Sequence, residues 1–310
     1  MALDSSKAHG GSKALGGSKA QGGSKAQRGT KALDPEGFGT LLIEEQEDRL
    51  TVLLNRPEVR NAIDQQMVDE LHKVCDYLER EPKILIIAGS EGVFASGADI
   101  GQLRDRRRDD ALRGINSTIF ARIARLPMPV IAAIDGYCLG GGAELAYAAD
   151  FRIGTPAVRI GNPETGLGIM AAAGATWRLK ELVGEPLAKE ILLAGAVLRA
   201  EEALRINLIT GIYEAPVLMD AAHKLADRIA RQDPLAVRIT KSVFHAPEGA
   251  HPVIDTLAQG ILFESRAKFD RMQDFLDKKM AERLAAKLPQ DGAPGADIDS
   301  TPVTQDRTTT

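Results

Sequence analysis

Two short apolar runs constrain the fold of this 310-residue chain more than any other feature. The runs "KILIIAG" (residues 83–89) and "PVIAAIDG" (residues 129–136) are continuously apolar over lengths typical of strands. A continuously apolar strand is buried on both faces, and such strands occur in parallel sheets that helices cover. Because stretches with helical spacing separate these runs, the sequence predicts an α/β core.

The segments around these runs extend the alternation. Two apolar stretches with a charged turn between them predict a hairpin over residues 40–55. The apolar side chains Met67, Leu71, Val74 and Leu78 then recur at the spacing of one helix face. This spacing predicts a helix between the hairpin and the first buried strand.

The second half of the chain begins with strand patterns and ends with helical ones. Residues 151–154 and 157–164 predict two further strands, and the pattern becomes mostly helical from about Ala175. A long helical carboxy-terminal third indicates an appendage that packs on the core or on a neighbouring subunit.

Composition divides the chain into four parts. Residues 1–36 carry a Ser-Lys-Ala repeat of six residues rich in glycine, and residues 289–310 are polar and rich in threonine and aspartate. Neither segment has enough apolar surface to bury, so both are predicted to be disordered. Between them we predict a core over residues 37–230 and a helical region over residues 231–288.

Charge and composition exclude several kinds of partner. A net charge of −4 and 4% aromatic residues disfavour a nucleic acid partner. No apolar run is long enough to insert into a membrane. The histidines are scattered and Cys75 and Cys138 stand alone, which predicts no metal site. The amino-terminal repeat lacks the apolar stretch of a secretory signal. We therefore expect a cytoplasmic protein, with an organellar matrix as the weaker alternative.

The stretch "GYCLGGGAELAYAAD" (residues 136–150) resembles a phosphate-binding loop only superficially. A P-loop needs Gly-Lys-Ser/Thr after the glycines, but here Ala143 and Glu144 follow, and a carboxylate repels phosphate. The segment "GLGIMA" (residues 166–171) fits a dinucleotide fingerprint formally. No βαβ pattern frames that segment, however, so nucleotide binding is disfavoured at both places.

A helix amino terminus that a ligand can approach closely is what remains. Glycines expose the free N–H groups of the first turn, and these groups favour an oxygen that gains negative charge, as in an oxyanion hole. Glu144 lies one turn inside the helix. It is either a general acid or base beside that hole or merely a carboxylate that compensates the helix dipole.

Two further segments carry the same chemistry. In "FASGADIGQL" (residues 94–103), the small residues Ser96, Gly97 and Ala98 let a ligand touch the backbone. In "GNPETGLGI" (residues 161–169), Glu164 follows a proline at the end of a predicted strand, where a carboxylate is either held stiffly or, as is usual for a loop glutamate, simply solvated.

Together and in this order, these segments resemble the crotonase family of enoyl-CoA hydratases and isomerases. "FASGADI" resembles the first oxyanion segment of that family, "DGYCLGGGAELAYAADFRIG" the second, and "GNPETGLGI" the second catalytic segment. "RPEVRNAID" (residues 56–64) resembles the loop that lines the coenzyme A site. The resemblance covers roughly residues 38–288.

The resemblance implies an α/β fold built as a spiral of β-β-α turns, with a helical carboxy-terminal trimerisation region. The expected assembly is a homotrimer or a dimer of trimers. The resemblance assigns the backbone N–H groups of Ala98 and Gly141 to the thioester oxygen, and Glu144 and Glu164 to acid–base catalysis. The positions at which the family lines the coenzyme A site or the pocket wall are Arg60, Ala62, Ser96, Ala98, Asp99, Ile100 and Gly141. Asp99 is equally suited to be a structural anchor of its loop.

The implied activity is that of an enoyl-CoA hydratase, which adds water across the 2,3 double bond of a 2-enoyl-CoA in lipid metabolism. Coenzyme A enters as part of the substrate, and no cofactor is expected. An isomerase, another acyl-CoA reaction of the family, and a noncatalytic acyl-CoA-binding subunit remain as alternatives.

Several departures from the family pattern concern the substrate. Alanines replace the usual glycines after the second glutamate, and Met170 and Trp177 are expected to reshape the acyl pocket. The run "RDRRRDD" (residues 104–110) is better explained as a solvated charge run than as a phosphate site. Lys278 or Lys279 is a weaker candidate for the adenine end of a neighbouring subunit's ligand.

Overall fold

A computed structural model of the protein describes residues 33–285. Residues 1–32 of the predicted amino-terminal arm and the predicted tail over residues 289–310 lie outside the described residues. The predicted disorder of these two segments therefore stays a prediction. The predicted boundary between the core and the helical region at residues 230 and 231 stays a prediction as well.

The strands form two sheets. They are β1 (Leu41–Glu45), β2 (Arg49–Leu54), β3 (Ile84–Gly89), β4 (Val130–Ile134), β5 (Tyr137–Leu139), β6 (Phe151–Gly154), β7 (Arg159–Gly161) and β8 (Val197–Arg199). The larger sheet has the order β1-β2-β3-β4-β6, antiparallel between β1 and β2 and parallel elsewhere. The smaller sheet has the order β5-β7-β8, in which β5 and β7 run parallel and β8 antiparallel.

Helices occupy most of the remaining described chain. They are α1 (Gln65–Arg80), α2 (Ile100–Asp105), α3 (Arg108–Arg113), α4 (Ile115–Ala124), α5 (Gly141–Ala148), α6 (Ala175–Val183), α7 (Glu185–Ala194), α8 (Ala200–Arg205), α9 (Ala215–Ala230), α10 (Pro234–Phe244), α11 (Val253–Phe263) and α12 (Arg266–Ala285). None of the helices in the described part of the chain is long and apolar enough to cross a membrane.

The predicted hairpin and the helix after it are confirmed. β1 and β2 pair as a hairpin, and the whole predicted face of α1 is buried. Asp64 caps α1 by accepting a hydrogen bond from the N–H of Met67 at 2.8 Å. A short polar side chain at that position fixes where the helix starts.

The two apolar runs form strands that are buried on both faces, as predicted. In β3, Leu85 and Ile87 join one hydrophobic cluster, whereas Ile84 and Ile86 join a second cluster across the sheet. Successive side chains of a strand point to opposite faces, so one continuous apolar run supplies both clusters.

The structure differs from the predictions in the middle of the chain. The strand predicted over residues 157–164 ends at Gly161, because Pro163 has no N–H to continue a ladder and begins a 3-10 turn, Pro163–Leu167. The arginine-rich stretch forms the end of α2 and the start of α3, for which no separate helices were predicted. β5 was not predicted, because three residues are too few to give a periodic pattern.

Parallel pairing brings the site segments together. The carboxyl ends of β3 and β4 lie at the same edge of the larger sheet, and the loops that follow them meet there. Ala95 pairs with Cys138 of β5, and β5 leads directly into α5. The sheet topology therefore places residues 94–99 against the amino terminus of α5.

The carboxy-terminal part of the described chain is helical, as predicted. Lys241 of α10 binds the core through Asp150, with 2.6 Å between Nζ and Oδ2. Neither α10 nor α11 has a buried residue, and large apolar side chains such as Phe244 and Phe275 are exposed in this region.

Candidate active site

The backbone of residues 95–99 is held from both sides. On one side Ile63 receives a hydrogen bond from the N–H of Asp99 at 3.0 Å and donates one to the carbonyl of Gly97 at 2.8 Å. On the other side Ala95 and Leu139 are hydrogen-bonded at 3.0 Å. Among the described residues, the N–H of Ala98 has no backbone acceptor, so it is free to bind a ligand.

A second free N–H group lies beside that of Ala98. Gly141 is the first residue of α5, where the N–H has no acceptor inside the helix. A Cβ built on Gly141 would lie 3.5 Å from the nitrogen of Ala98. The structure therefore brings the two predicted oxyanion donors together.

A different feature of the structure explains the glycine at each of the three consecutive positions, 140, 141 and 142. Gly140 adopts a left-handed conformation with φ of +52°, and a Cβ there would approach Oε1 of Glu164 to 3.2 Å. At Gly142 a Cβ would lie 2.5 Å from the carbonyl oxygen of Ala95, which is too close for any side chain. At Gly141 a Cβ would meet only ordinary contacts. That glycine thus leaves space for something that is not part of the chain.

Glu144 is buried and held by backbone donors. Its side chain lies in the first turn of α5, and the residue is 3% exposed. Oε1 accepts hydrogen bonds from the N–H groups of Ala173 at 2.7 Å and Ala175 at 3.1 Å. Burial raises the pKa of Glu144 to about 7 and the charge of Glu164 adds to the rise, whereas the two N–H groups oppose it.

Glu164 has a different environment. It lies on the turn after β7, and its Oε1 accepts a weak hydrogen bond from Nδ2 of Asn162 at 3.4 Å. Its Oε2 is buried and has no partner among the described residues. Burial raises the pKa of Glu164.

Two residues that the sequence reasoning missed support Glu164. Asn162 donates to Glu164 and to the carbonyl of Gly140 at 3.3 Å, and its Oδ1 accepts from the hydroxyl of Tyr147 at 3.1 Å. Asn162 stands two residues before Glu164, and this closeness in sequence was the one signal that could have predicted their contact. Nothing in the sequence indicated Tyr147, which lies on α5.

All four residues predicted to be catalytic line one cleft. Its volume is about 570 Å³, and Ala98, Gly141, Glu144 and Glu164 all belong to its wall. The two acids and the two N–H groups therefore face a common space. Within this space the site can bind an oxygen that gains negative charge and can move a proton beside it.

The predicted substrate-binding residues divide into two groups. Ser96 and Ile100 line the cleft with Ala98 and Gly141. The others flank it. Arg60 is exposed, and its carbonyl accepts from the N–H of Ser96 at 3.1 Å. The carbonyl of Ala62 accepts from Arg56 at 2.7 Å.

Asp99 anchors its loop rather than lining the cleft. Its carboxylate caps α2 by accepting from the N–H of Gln102 at 3.1 Å and lies 3.4 Å from Arg56. These contacts hold the pKa of Asp99 below its usual range, chiefly through the hydrogen bond from Gln102.

Among the residues that depart from the family pattern, only some reach the cleft. Met170 lines it, but Trp177 does not and instead stacks on Arg178 at 4.0 Å. The arginine-rich run contains surface pairs such as Arg108 with Asp109, as predicted. Arg106, Arg107 and Arg108 nevertheless also line the cleft.

Comparison with known proteins shows which proteins this chain is similar to. A family model described as enoyl-CoA hydratase/isomerase matches residues 44–282. The chain is 34% identical over 253 residues to the short-chain-enoyl-CoA hydratase of Clostridium acetobutylicum, covering 78% of this chain and 96% of the relative. It is 36% identical over 256 residues to the crotonyl-CoA hydratase of Syntrophomonas wolfei, covering 79% and 98%.

Solved structures agree with the sequence relatives. The crystal structure of an enoyl-CoA hydratase from Bacillus anthracis matches with a TM-score of 0.73 at 27% identity, covering 77% of this chain and 97% of that one. An enoyl-CoA hydratase structure from Geobacillus kaustophilus matches with a TM-score of 0.73 at 31% identity, covering 78% and 96%. These matches confirm the predicted fold class.

Proposed function

This chain belongs to the enoyl-CoA hydratase/isomerase family and is an enoyl-CoA hydratase, and we propose that Glu144 and Glu164 add the water. The observation that carries this proposal is the shared cleft, in which two buried acids face the same space as two free N–H groups. An acyl-CoA is therefore the substrate, and coenzyme A enters as part of it.

The N–H groups of Ala98 and Gly141 bind the thioester oxygen of the substrate. During addition of water the acyl group passes through an enolate-like state in which negative charge collects on that oxygen. Fixed N–H groups in a buried site stabilise this charge more than they stabilise the neutral carbonyl. Their contribution therefore lowers the barrier rather than only tightening binding.

The two glutamates divide the proton transfers. Ionised Glu144 takes one proton from the water as the water oxygen bonds to C3, and protonated Glu164 gives its proton to C2. Glu164 is suited to carry the proton, because its Oε2 has no partner among the described residues. The site resets when a proton passes from Glu144 to Glu164 through the next water.

This division requires the pair to share one proton near neutral pH. The raised pKa values of both acids support that condition, since burial disfavours two negative charges in one cleft. The proton belongs to the pair, and the hydrogen bonds around each acid decide where it resides.

The direct test is hydration of crotonyl-CoA by pure protein. The absorbance of the conjugated thioester decreases as water adds, and we expect that decrease with catalytic amounts of protein. A protein that only binds acyl-CoA would leave the absorbance unchanged and would contradict the proposal. A 3-enoyl thioester assayed in parallel tests for isomerase activity.

We propose a short acyl chain as the preferred substrate. The names of the two relatives, short-chain-enoyl-CoA and crotonyl-CoA hydratase, support this preference. The exposed side chain of Met170 on the cleft wall is the residue best placed to limit chain length. A series of 2-enoyl-CoAs of increasing length tests it, with kcat/KM expected to be highest at four carbons.

For the assembly, we propose a homotrimer or a dimer of trimers built on the helical carboxy-terminal region. The exposed apolar side chains of α10 to α12 support a partner surface there. Light scattering should give three or six times the chain mass of 33.2 kDa. A monomer would exclude this assembly.

We further propose that the reaction needs no cofactor and takes place in the cytoplasm. The steps above use only carboxylates and N–H groups of the chain, so dialysis against a chelator should leave kcat unchanged. The bacterial origin of the two relatives supports the cytoplasm, which cell fractionation tests.

A further inference from the structure

Asn116 presents an unpaired amide to the cleft. It is the second residue of α4 and lines the cleft beside Ala98 and Gly141. Its Oδ1 is buried and has no hydrogen-bond partner among the described residues. Its Nδ2 donates no hydrogen bond to the described residues either. The next residue, Ser117, does have a partner, since its hydroxyl donates to the carbonyl of Gly114 at 3.1 Å.

The amide nitrogen of Asn116 points to the same place as the two backbone donors. The position that a Cβ of Gly141 would occupy is 3.5 Å from Nδ2 of Asn116 and 3.5 Å from the nitrogen of Ala98. By covalent geometry the same position is about 2.5 Å from the nitrogen of Gly141 itself. Three nitrogens therefore surround one point that no atom of the described residues fills.

We propose that Asn116 is a third hydrogen-bond donor to the thioester oxygen of the substrate. The inference rests on the proposed function, because it takes the oxygen bound between Ala98 and Gly141 to be that of an enoyl thioester. Nδ2 of Asn116 has no acceptor among the described residues, and Asn116 lines the cleft, so a ligand bound there is placed to supply that acceptor. The polar atom of a 2-enoyl thioester nearest to the two backbone N–H groups is its carbonyl oxygen.

The chemistry of an asparagine fits this position. A side-chain amide donates a hydrogen bond without carrying charge, so it stabilises a developing enolate and does not bind other anions strongly. Leucine has a similar size but no donor. Aspartate has nearly the same shape, but its ionised form can only accept hydrogen bonds and would repel the enolate.

The test compares Asn116→Leu, Asn116→Asp and Asn116→Ala with wild-type protein. Gln232→Leu serves as the matched control, because it removes an exposed amide that lies outside the cleft and donates to the carbonyl of Arg228. Two quantities are measured: kcat and KM for crotonyl-CoA, and the carbonyl stretching frequency of bound butyryl-CoA labelled with ¹³C at C1. Thermal unfolding of each variant identifies any loss of folding.

We expect Asn116→Leu and Asn116→Ala to lower kcat by about 10²-fold, as the loss of one oxyanion donor does, with little change in KM. Asn116→Asp should lower kcat further. The carbonyl band of bound butyryl-CoA should shift less from its position in solution in Asn116→Leu than in wild type. Gln232→Leu should match wild type in both quantities.

Unchanged kcat and an unchanged carbonyl band in folded Asn116→Leu and Asn116→Ala would overturn the inference. A higher KM with the same band would also overturn it, since Asn116 would then contact only the acyl chain. If wild-type protein shifts the band but does not hydrate crotonyl-CoA, the proposed function fails. A smaller band shift in Asn116→Leu would still support the donor role in that case.

Discussion

The two glutamates of the cleft differ in what holds them. Glu144 sits in the first turn of α5 and accepts from two backbone N–H groups, whose positions are fixed by the fold. Glu164 sits on a turn and accepts a weak hydrogen bond from the side chain of Asn162, and its other oxygen has no partner among the described residues. Two residues of one type thus have environments suited to different tasks.

This difference suggests how one cleft keeps an acid and a base together. Backbone N–H groups can only donate, so they favour the ionised form of Glu144, although burial opposes it. The free oxygen of Glu164 leaves a place for a proton. Substitutions around Glu144 and around Glu164 are therefore expected to lower activity to different extents.

The largest effect is expected from Glu164→Gln. An amide cannot supply the proton to C2, so hydration of crotonyl-CoA should fall by about 10⁴-fold, the upper range for a general acid or base. Binding of butyryl-CoA should be nearly unchanged, because the N–H groups remain. Steady-state kinetics and calorimetric titration check the two expectations. Substantial retained activity would mean that the α-proton comes from elsewhere.

Glu144→Gln should lower kcat by about 10³-fold, because the base is lost while the amide oxygen can still accept from Ala173 and Ala175. It should also change stability. A carboxylate whose pKa is raised from 4.5 to about 7 on folding costs no stability below pH 4.5. As pH rises from 4.5 through about 7, the wild type loses the part of its stability that depends on Glu144 being protonated.

The variant has no such loss, so at pH 8 it should be more stable than wild type by up to about 3 kcal/mol. At pH 4.5 most of this difference should be gone. Thermal unfolding at the two pH values measures it. Equal melting temperatures at pH 8 would show that Glu144 is not held in a buried site of the kind described.

Gly141→Ala tests the other contribution of α5, the free N–H at its start. The added methyl group meets only ordinary contacts, with 3.5 Å to Ala98, so the variant should fold. It would fill the space proposed for the thioester oxygen, and kcat/KM should fall by about 10²-fold. Gly37→Ala is the control, since a Cβ there meets nothing within 4 Å. Full activity of Gly141→Ala would exclude this oxyanion hole.

Much of the arrangement of the site was predictable from the sequence. The buried strands β3 and β4 have continuous apolar runs, and parallel strands bring their carboxyl ends together. The segments around Ala98 and Gly141 could therefore be placed at one edge before any coordinates. Glu144 and Glu164 were assigned by the resemblance to the crotonase family, since the residues alone left the role of each open.

What the sequence could not give depends on distances between remote residues. For example, Gly140 and Gly142 have to be glycines because Glu164 and Ala95 lie against them, and no sequence pattern shows those contacts. The hydrogen bond from Tyr147 to Asn162 joins a helix to a turn 15 residues away. Trp177 was expected at the cleft, but the direction of a side chain on α6 depends on helix packing that no local pattern encodes.

Tyr147→Phe should have the smallest effect and tests whether Asn162 orients Glu164. The change removes one buried hydroxyl and leaves Oδ1 of Asn162 without its donor. A net hydrogen bond of about 1 kcal/mol corresponds to a factor of about five in kcat, with KM unchanged. The same change made in Glu164→Gln should have no further effect on the residual rate, because the tyrosine acts through Glu164. An equal loss in both backgrounds would mean that Tyr147 supports α5 as a whole. The proposal that Asn162 orients Glu164 would then lose the support of this hydrogen bond.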